Sequence, residues 1–275
     1  MSELRPDSYY SRSARFRKDG KYRLLDTEGR VIMEPVYDYI LDLEDDFLTV
    51  TIARANGVYN QSGEEILPIL YEYVEMLKGD YLKARMLKRW AVFNLTGEML
   101  IPHIYHNVFS FTEGLARVIL DDKRGFIDRN FKEVIPPLYD LARAFCNGYA
   151  AVKRAGKWGF IDTKGQEVIP FIYDKADDFS EEGLAAILFE DGWGYINTRG
   201  EEVIPPYYDM AEPFTHGRAW VRSTKKQWAL IDPLGRELTP FKYRRFGEYV
   251  RGYFTACFSV KTIFIDSEGK EIYMK

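Results

Sequence analysis

The sequence predicts an all-β protein, a tandem array of eight three-stranded antiparallel β units in an open or superhelical stack, with an eight-bladed β-propeller as the alternative arrangement. Two observations lead there. Marker residues recur every 34 or 35 positions along nearly the whole 275-residue chain. Aromatic residues make up 16% of it, with 20 Tyr, 18 Phe and 5 Trp, a bias that suits pleated, half-buried strands. The helical alternative fails because Gly and Pro return too often for helices of ordinary length. Residues 1–13 read as an N-terminal extension and 14–275 as one domain of eight units.

The period comes first, since overlooking a repeat misassigns the whole fold. Gly156-Lys157-Trp158-Gly159-Phe160-Ile161-Asp162-Thr163-Lys164-Gly165 returns, 35 residues later, as Asp191-Gly192-Trp193-Gly194-Tyr195-Ile196-Asn197-Thr198-Arg199-Gly200. A turn glycine stands at Gly29, Gly63, Gly97, Gly165, Gly200, Gly235 and Gly269, and the fourth copy carries Phe131 in its place. A tyrosine column, Tyr37, Tyr71, Tyr105, Tyr139, Tyr173, Tyr208 and Tyr243, keeps step with it. Two columns sharing one period exclude coincidence as the explanation.

Each strand follows from local chemistry. In the sixth copy, Gly183 to Phe189 is an apolar run of β-formers, and Glu190-Asp191-Gly192 supplies the turn that makes it a hairpin with Trp193 to Ile196. Asn197 to Gly200 forms the next reversal, in which the Asx side chain bonds amides two residues on and Gly takes a left-handed conformation at low cost. The third strand, Glu201 to Ile204, is expected to end where Pro205 and Pro206 cannot donate to a ladder. Tyr207 to Phe214 then reads as a connection pinned by its aromatics. Because Phe131 replaces glycine, the fourth reversal is expected to differ in conformation from the others.

These residues resemble the bacterial WG-repeat family, through Trp158-Gly159 and Trp193-Gly194 and the aromatic-Ile-Asp and Val-Ile-Pro steps that follow. Degenerate copies read Trp90-Ala91, Trp228-Ala229 and Arg124-Gly125. The resemblance implies a β-repeat architecture with no general biochemical activity attached, and it supplies no functional residues.

The Phe160 and Ile161 columns are apolar in every copy. Adjacent strand residues point to opposite faces, so this strand must be covered on both sides and neighbouring units must pile together. The glycine of Trp-Gly is Gly or Ala in the six internal copies but Arg23 in the first and Ile263 in the last. A small residue there is expected to admit a neighbouring unit's backbone or ring, so its loss at both ends favours an open array.

Functional chemistry is sparse. A net charge of -4 and a pI near 5.6 give no electrostatic case for nucleic acid. Cys146 and Cys257 are too far apart in sequence to suggest a CxxC site, and they read as buried thiols. His103, His106 and His216 read as surface or cap residues, and neither a metal site nor a cofactor is expected. The carboxylate pairs Asp121-Asp122, Asp177-Asp178 and Glu181-Glu182 recur in loop regions, where they keep loops wet, so no catalysis is expected. The tryptophans Trp90, Trp158, Trp193 and Trp228 are expected to pack between units, whereas Trp220, outside that column, is the candidate for an exposed binding residue. No apolar leader or membrane-length segment is visible, and a cytoplasmic location without membrane contact is expected.

These features lead to the expectation of a non-catalytic binding or scaffolding protein whose partner is another protein. The alternative is a carbohydrate or cell-wall glycan binder that uses exposed aromatics.

Overall fold

A computed structural model describes residues 8–10, 13–44, 46–78, 81–257 and 262–272. Among these residues every regular element is a β-strand and no helix occurs. No helix is therefore long and apolar enough to cross a membrane.

The strands form eight antiparallel meander sheets, seven with four strands and one with three. The sixth sheet is representative, with strands Lys175–Ala176, Leu184–Phe189, Gly192–Asn197 and Glu202–Tyr208 in that spatial order. This corrects the expected three-stranded unit. The extra strand comes from the segment after each column tyrosine, read as a connection from the sequence, whose first residues pair with the following hairpin: Lys175 faces Leu188 and Ala176 faces Ile187. In the fifth to seventh sheets this strand is two residues long, too short a run for periodicity to reveal, whereas it extends over Tyr39–Glu44, Tyr73–Leu77 and Asn107–Thr112 in earlier copies.

The expected strand end at Pro205 is also overturned. Both prolines lie inside Glu202–Tyr208, as Pro170 does inside Glu167–Tyr173. This strand is bonded on one side only, and an edge strand tolerates residues without an N–H. It also bulges: Trp193 faces Tyr208 and Tyr195 faces Ile204, so two steps along one strand meet four along the other.

The bulge explains the small residue after each tryptophan. A Cβ on Gly194 would lie 2.4 Å from the Ile204 carbonyl oxygen and 2.7 Å from the Pro206 nitrogen. At Gly159 the same contact, with the Ile169 carbonyl oxygen, would be 2.6 Å. The approaching backbone thus belongs to the same sheet, which corrects the expectation of a neighbouring unit. The loss of the small residue in the end copies consequently says nothing about how the array ends.

The seventh sheet, Met210–Ala211, Ala219–Arg222 and Trp228–Ile231, lacks the fourth strand. Where the third to sixth copies carry Ile before the proline it has Thr239, whose buried hydroxyl accepts a hydrogen bond from the Leu230 amide at 2.9 Å. A side chain here takes the place of a ladder carbonyl, and only single bridges, Trp228 with Tyr243 and Ile231 with Glu237, remain.

The chain divides into two compact units, residues 1–111 with 118–121, and residues 112–117 with 122–275. In the first unit the core lies between successive sheets, with Leu24, Met33, Ile40 and Leu48 in one cluster and Val58, Leu67, Tyr71 and Leu82 in the next. In the second unit Phe160, Ile169, Phe179 and Ile187 fill one inter-sheet layer, and Tyr195, Ile204, Phe214 and Val221 fill another. Phe160 and Ile161 are both completely buried, as two-sided coverage requires.

The turn glycines adopt φ between 76° and 86°. At each of these reversals the Asx oxygen accepts two amides, as Asp162 does from Lys164 at 2.9 Å and Gln166 at 2.8 Å. Phe131 keeps the same conformation at φ 60°, and Asp128 accepts the amides of Asn130 and Lys132. The expectation of a different fourth reversal is therefore overturned. The Asx network holds the turn closed around a residue that favours it poorly.

Candidate binding surfaces

The fourth strands present a repeated apolar position to solvent. The residue before the first six column tyrosines is Val36, Leu70 and Ile104 in the first unit and Leu138, Ile172 and Tyr207 in the second, each between 42% and 64% exposed, while Lys242 precedes the seventh. Alternation places it there: the tyrosine points into the core and its neighbour must point out. Tyr39 and Tyr73 in the first unit and Leu141 in the second, three residues beyond the row, are exposed as well. The Arg85 guanidinium lies 4.1 Å from the Tyr73 ring centre. The prolines on the same strands remove N–H groups from the free edge, so this surface offers side chains more than backbone pairing.

A second cluster, of charged groups, lies in the second unit on the segments that follow Tyr139, Tyr173 and Tyr208. Arg143, Asp177 and Glu212 hold equivalent places, one per repeat. Arg143 is ion-paired with Asp177 and donates through Nε to the Ala176 carbonyl at 3.1 Å. Burial pushes the Asp178 carboxyl above its ordinary range against the pull of Arg143, and burial together with Asp177 raises that of Glu212.

Beside it, the turns Phe111–Gly114, Phe145–Gly148, Phe179–Gly183 and Phe214–Gly217 interlock from one repeat to the next. Glu113 accepts the Asn147 amide at 2.6 Å and the Gly148 amide at 2.8 Å, and Glu182 accepts the Gly217 amide at 2.5 Å. Asn147 donates to the carbonyls of Phe179 and Ser180 at 2.9 and 3.0 Å. These turns enclose a cavity of about 280 Å³ lined by Cys146, Ser180, Glu181, Glu182 and His216. A neighbouring cavity of about 220 Å³ is lined by Trp220, Glu212, Phe246, Glu248, Tyr249 and Phe254. Both acidic and aromatic groups meet there, a juxtaposition that sequence reasoning missed because Glu212 and Glu248 belong to successive copies.

Trp220 is not exposed as expected. It is 5% accessible, stacked on Phe246 at 5.8 Å and edge-on to Tyr243 at 5.7 Å. Its strand lies inside its sheet and the eighth sheet covers that face. The column tryptophans pack between sheets: Trp158 joins the layer of Tyr173 and Phe189, and Trp193 the layer of Tyr208 and Val221.

His103 and His106 take over roles of the residues they replace. His103, in the Phe171 column, stacks on Tyr71 as Phe171 stacks on Tyr139. His106, in the Asp174 column, accepts the Asp121 amide through Nδ1 at 3.1 Å. His216 stacks on Tyr249 at 4.0 Å. Of the carboxylate pairs, Asp121 and Asp122 form a hairpin turn with both residues left-handed, and the other two pairs enter the contacts above. Neither cysteine is buried as expected: both are half-buried free thiols, Cys146 lying in a turn and Cys257 at a strand end.

Comparison with solved structures gives a fold likeness at low identity. The crystal structure of the eukaryotic initiation factor matches with a TM-score of 0.52 and 11% identity, covering 96% of this chain and 84% of that one. BamB from Moraxella catarrhalis matches with a TM-score of 0.40 and 10% identity, over 97% of this chain and 92% of the other. The computationally designed Ika8 protein matches at 0.41 and 11%, over 96% and 93%. The initiation-factor structure, matched above a TM-score of 0.5, is propeller-like. No curated protein matches the sequence. The family model for the WG containing repeat matches residues 22–52, 57–90, 90–123, 125–158, 158–192 and 193–226.

Proposed function

Given that the chain belongs to the WG containing repeat family, a family of β repeats, we propose that it is a non-catalytic binding or scaffolding protein and that its partner is another protein. The observation that carries this reading is the outward apolar residue on the fourth strand of six successive sheets. Single exposed apolar residues are ordinary, but one held at the same structural position in repeat after repeat makes a patterned surface of the kind that marks interaction sites. Leu138 and Ile172 lie in successive repeats of the second unit, and Val36 and Leu70 in successive repeats of the first. The burial of Trp220 and the inter-sheet packing of the column tryptophans remove the tryptophans as glycan platforms, which leaves that alternative the exposed rings of Tyr39, Tyr73 and Tyr207.

The test is a pull-down from the source cell with the wild-type chain and with the double variant Leu138→Glu and Ile172→Glu. Retention of one stoichiometric protein by the wild type, lost in a variant of unchanged melting temperature, is the expected result. Equal retention by both would remove the apolar row from the argument. Retention on a glycan array with no protein partner would move the assignment to the alternative, and turnover abolished by a carboxylate substitution would overturn the non-catalytic reading.

A further inference from the structure

The smaller cavity of the second unit has a chemistry that the apolar row does not use. Its walls are the rings of Trp220, Phe246, Tyr249 and Phe254, and its acidic groups are Glu212 and Glu248. Trp220 and Phe246 are stacked, Tyr249 leans on Phe254 with ring centres 4.8 Å apart, and His216 backs Tyr249. The aromatic walls are thus fixed by one another. Among the described residues neither Glu212 nor Glu248 enters an ion pair, although the carboxylates Asp209 and Asp232 nearby in sequence both do. The Trp220 indole Nε1 is buried without an acceptor.

Two carboxylates without counter-ions beside four aromatic rings form an environment that attracts a cation twice over. The negative ring faces draw a positive charge, and each carboxylate can accept its N–H groups. Anions are disfavoured by the same charges. The volume, about 220 Å³, falls below the roughly 300–1,000 Å³ of sites for drug-sized ligands, so one side chain or a small amine is the right scale.

We propose that this cavity is a binding site for an organic ammonium or guanidinium cation, of the kind carried by a lysine or arginine side chain or by a free alkylamine. Trp220, Phe246 and Tyr249 line the site with aromatic surface, and Glu212 and Glu248 supply the counter-charge. The site is separate from the apolar row, and either can fail without the other.

Ligand-observed NMR titration of the full chain tests it with four probes: Nα-acetyl-lysine methylamide, its arginine counterpart, n-butylamine, and Nα,Nε-diacetyl-lysine methylamide as the neutral comparison. The cations should bind saturably at millimolar concentration and the neutral compound more weakly by about tenfold or more. Glu212→Gln and Glu248→Gln together should weaken the cations by a similar factor without lowering the melting temperature. Tighter binding of the peptide-like probes than of n-butylamine supports a side chain as the source of the cation, and equal binding supports a free amine. Equal binding of the neutral compound, indifference to the two Gln substitutions, or no saturable binding of any cation would overturn the proposal.

Discussion

Gly200, in the turn of the sixth repeat, rests on Ile169 of the fifth: a Cβ at Gly200 would stand 3.3 Å from the Ile169 Cγ1. The relationship recurs between Gly165 and Ile135 and between Gly235 and Ile204. The isoleucine of the Val-Ile-Pro step therefore acts twice. It pairs within its own sheet, and it forms the floor beneath the next repeat's reversal.

Gly165→Val should cost more than roughly 1 kcal/mol of stability, because a β-branched residue tolerates a left-handed position poorly. At φ 80°, with the new Cβ 3.0 Å from Ile135, strain and crowding act together. Thermal or urea unfolding measures it, and an unchanged melting temperature would contradict this account of the turn.

Gly194→Val should cost more than Gly194→Ala, by about 1–3 kcal/mol, since overpacking grows with each added carbon. Alanine already occupies this position at Ala91 and Ala229, whereas the bulged backbone at Ile204 and Pro206 leaves no room for a branched side chain. Equal losses in paired denaturant melts would argue against the bulge as the cause.

Lys83 is 6% exposed, ion-paired with Glu75, and donates to the Val108 carbonyl at 3.0 Å. Removing Glu75 leaves a buried cation without its counter-ion, with only the Val108 carbonyl, the Asn107 side chain and the Trp90 ring to hold it, but removing Lys83 leaves a carboxylate that is half in water. Glu75→Ala should thus destabilise more than Lys83→Met, with a loss of about 2–4 kcal/mol against about 1 kcal/mol. The reverse order in urea unfolding would refute this asymmetry.

Acid should weaken the fold through a recurring lysine-aspartate pair. Lys226 holds the Asp209 carboxyl below its ordinary value of 3.8, and Lys21 and Lys123 do the same for Asp38 and Asp140. A carboxylate whose value is depressed by folding contributes stability that is complete above the unfolded value and is lost as pH falls through the folded one. Asp209→Asn should therefore lower the melting temperature at about pH 6 and make the remaining fall toward about pH 3 shallower. A slope as steep as in the wild type would rule out this linkage at Asp209.

Much of this was legible because the repeat multiplies each signal. The Asx and glycine reversals could be read from seven glycines in step, and the two-sided burial of Phe160 and Ile161 from two columns that never turn polar. What escaped depends on partners distant in sequence. Lys175–Ala176 is a strand only because Leu188 and Ile187 stand opposite. Pro205 sits in a strand because nothing bonds its far side, and Trp220 is hidden because Tyr243, at the end of its own copy, and Phe246 of the following one cover it. Phe131 shows the converse limit: an unfavourable residue can be carried by the hydrogen bonds around it.

The prolines of the fourth strands also bear on behaviour at high concentration. A chain so rich in short sheets exposes many borders, and an uninterrupted border is a template on which other molecules can add and grow into fibrils. With Pro35, Pro102, Pro136 and Pro170 each embedded in such a strand and the backbone swollen opposite Gly159 and Gly194, these borders are neither straight nor fully equipped with donors. The same kink that sets the small residue after tryptophan thereby helps keep the molecules apart.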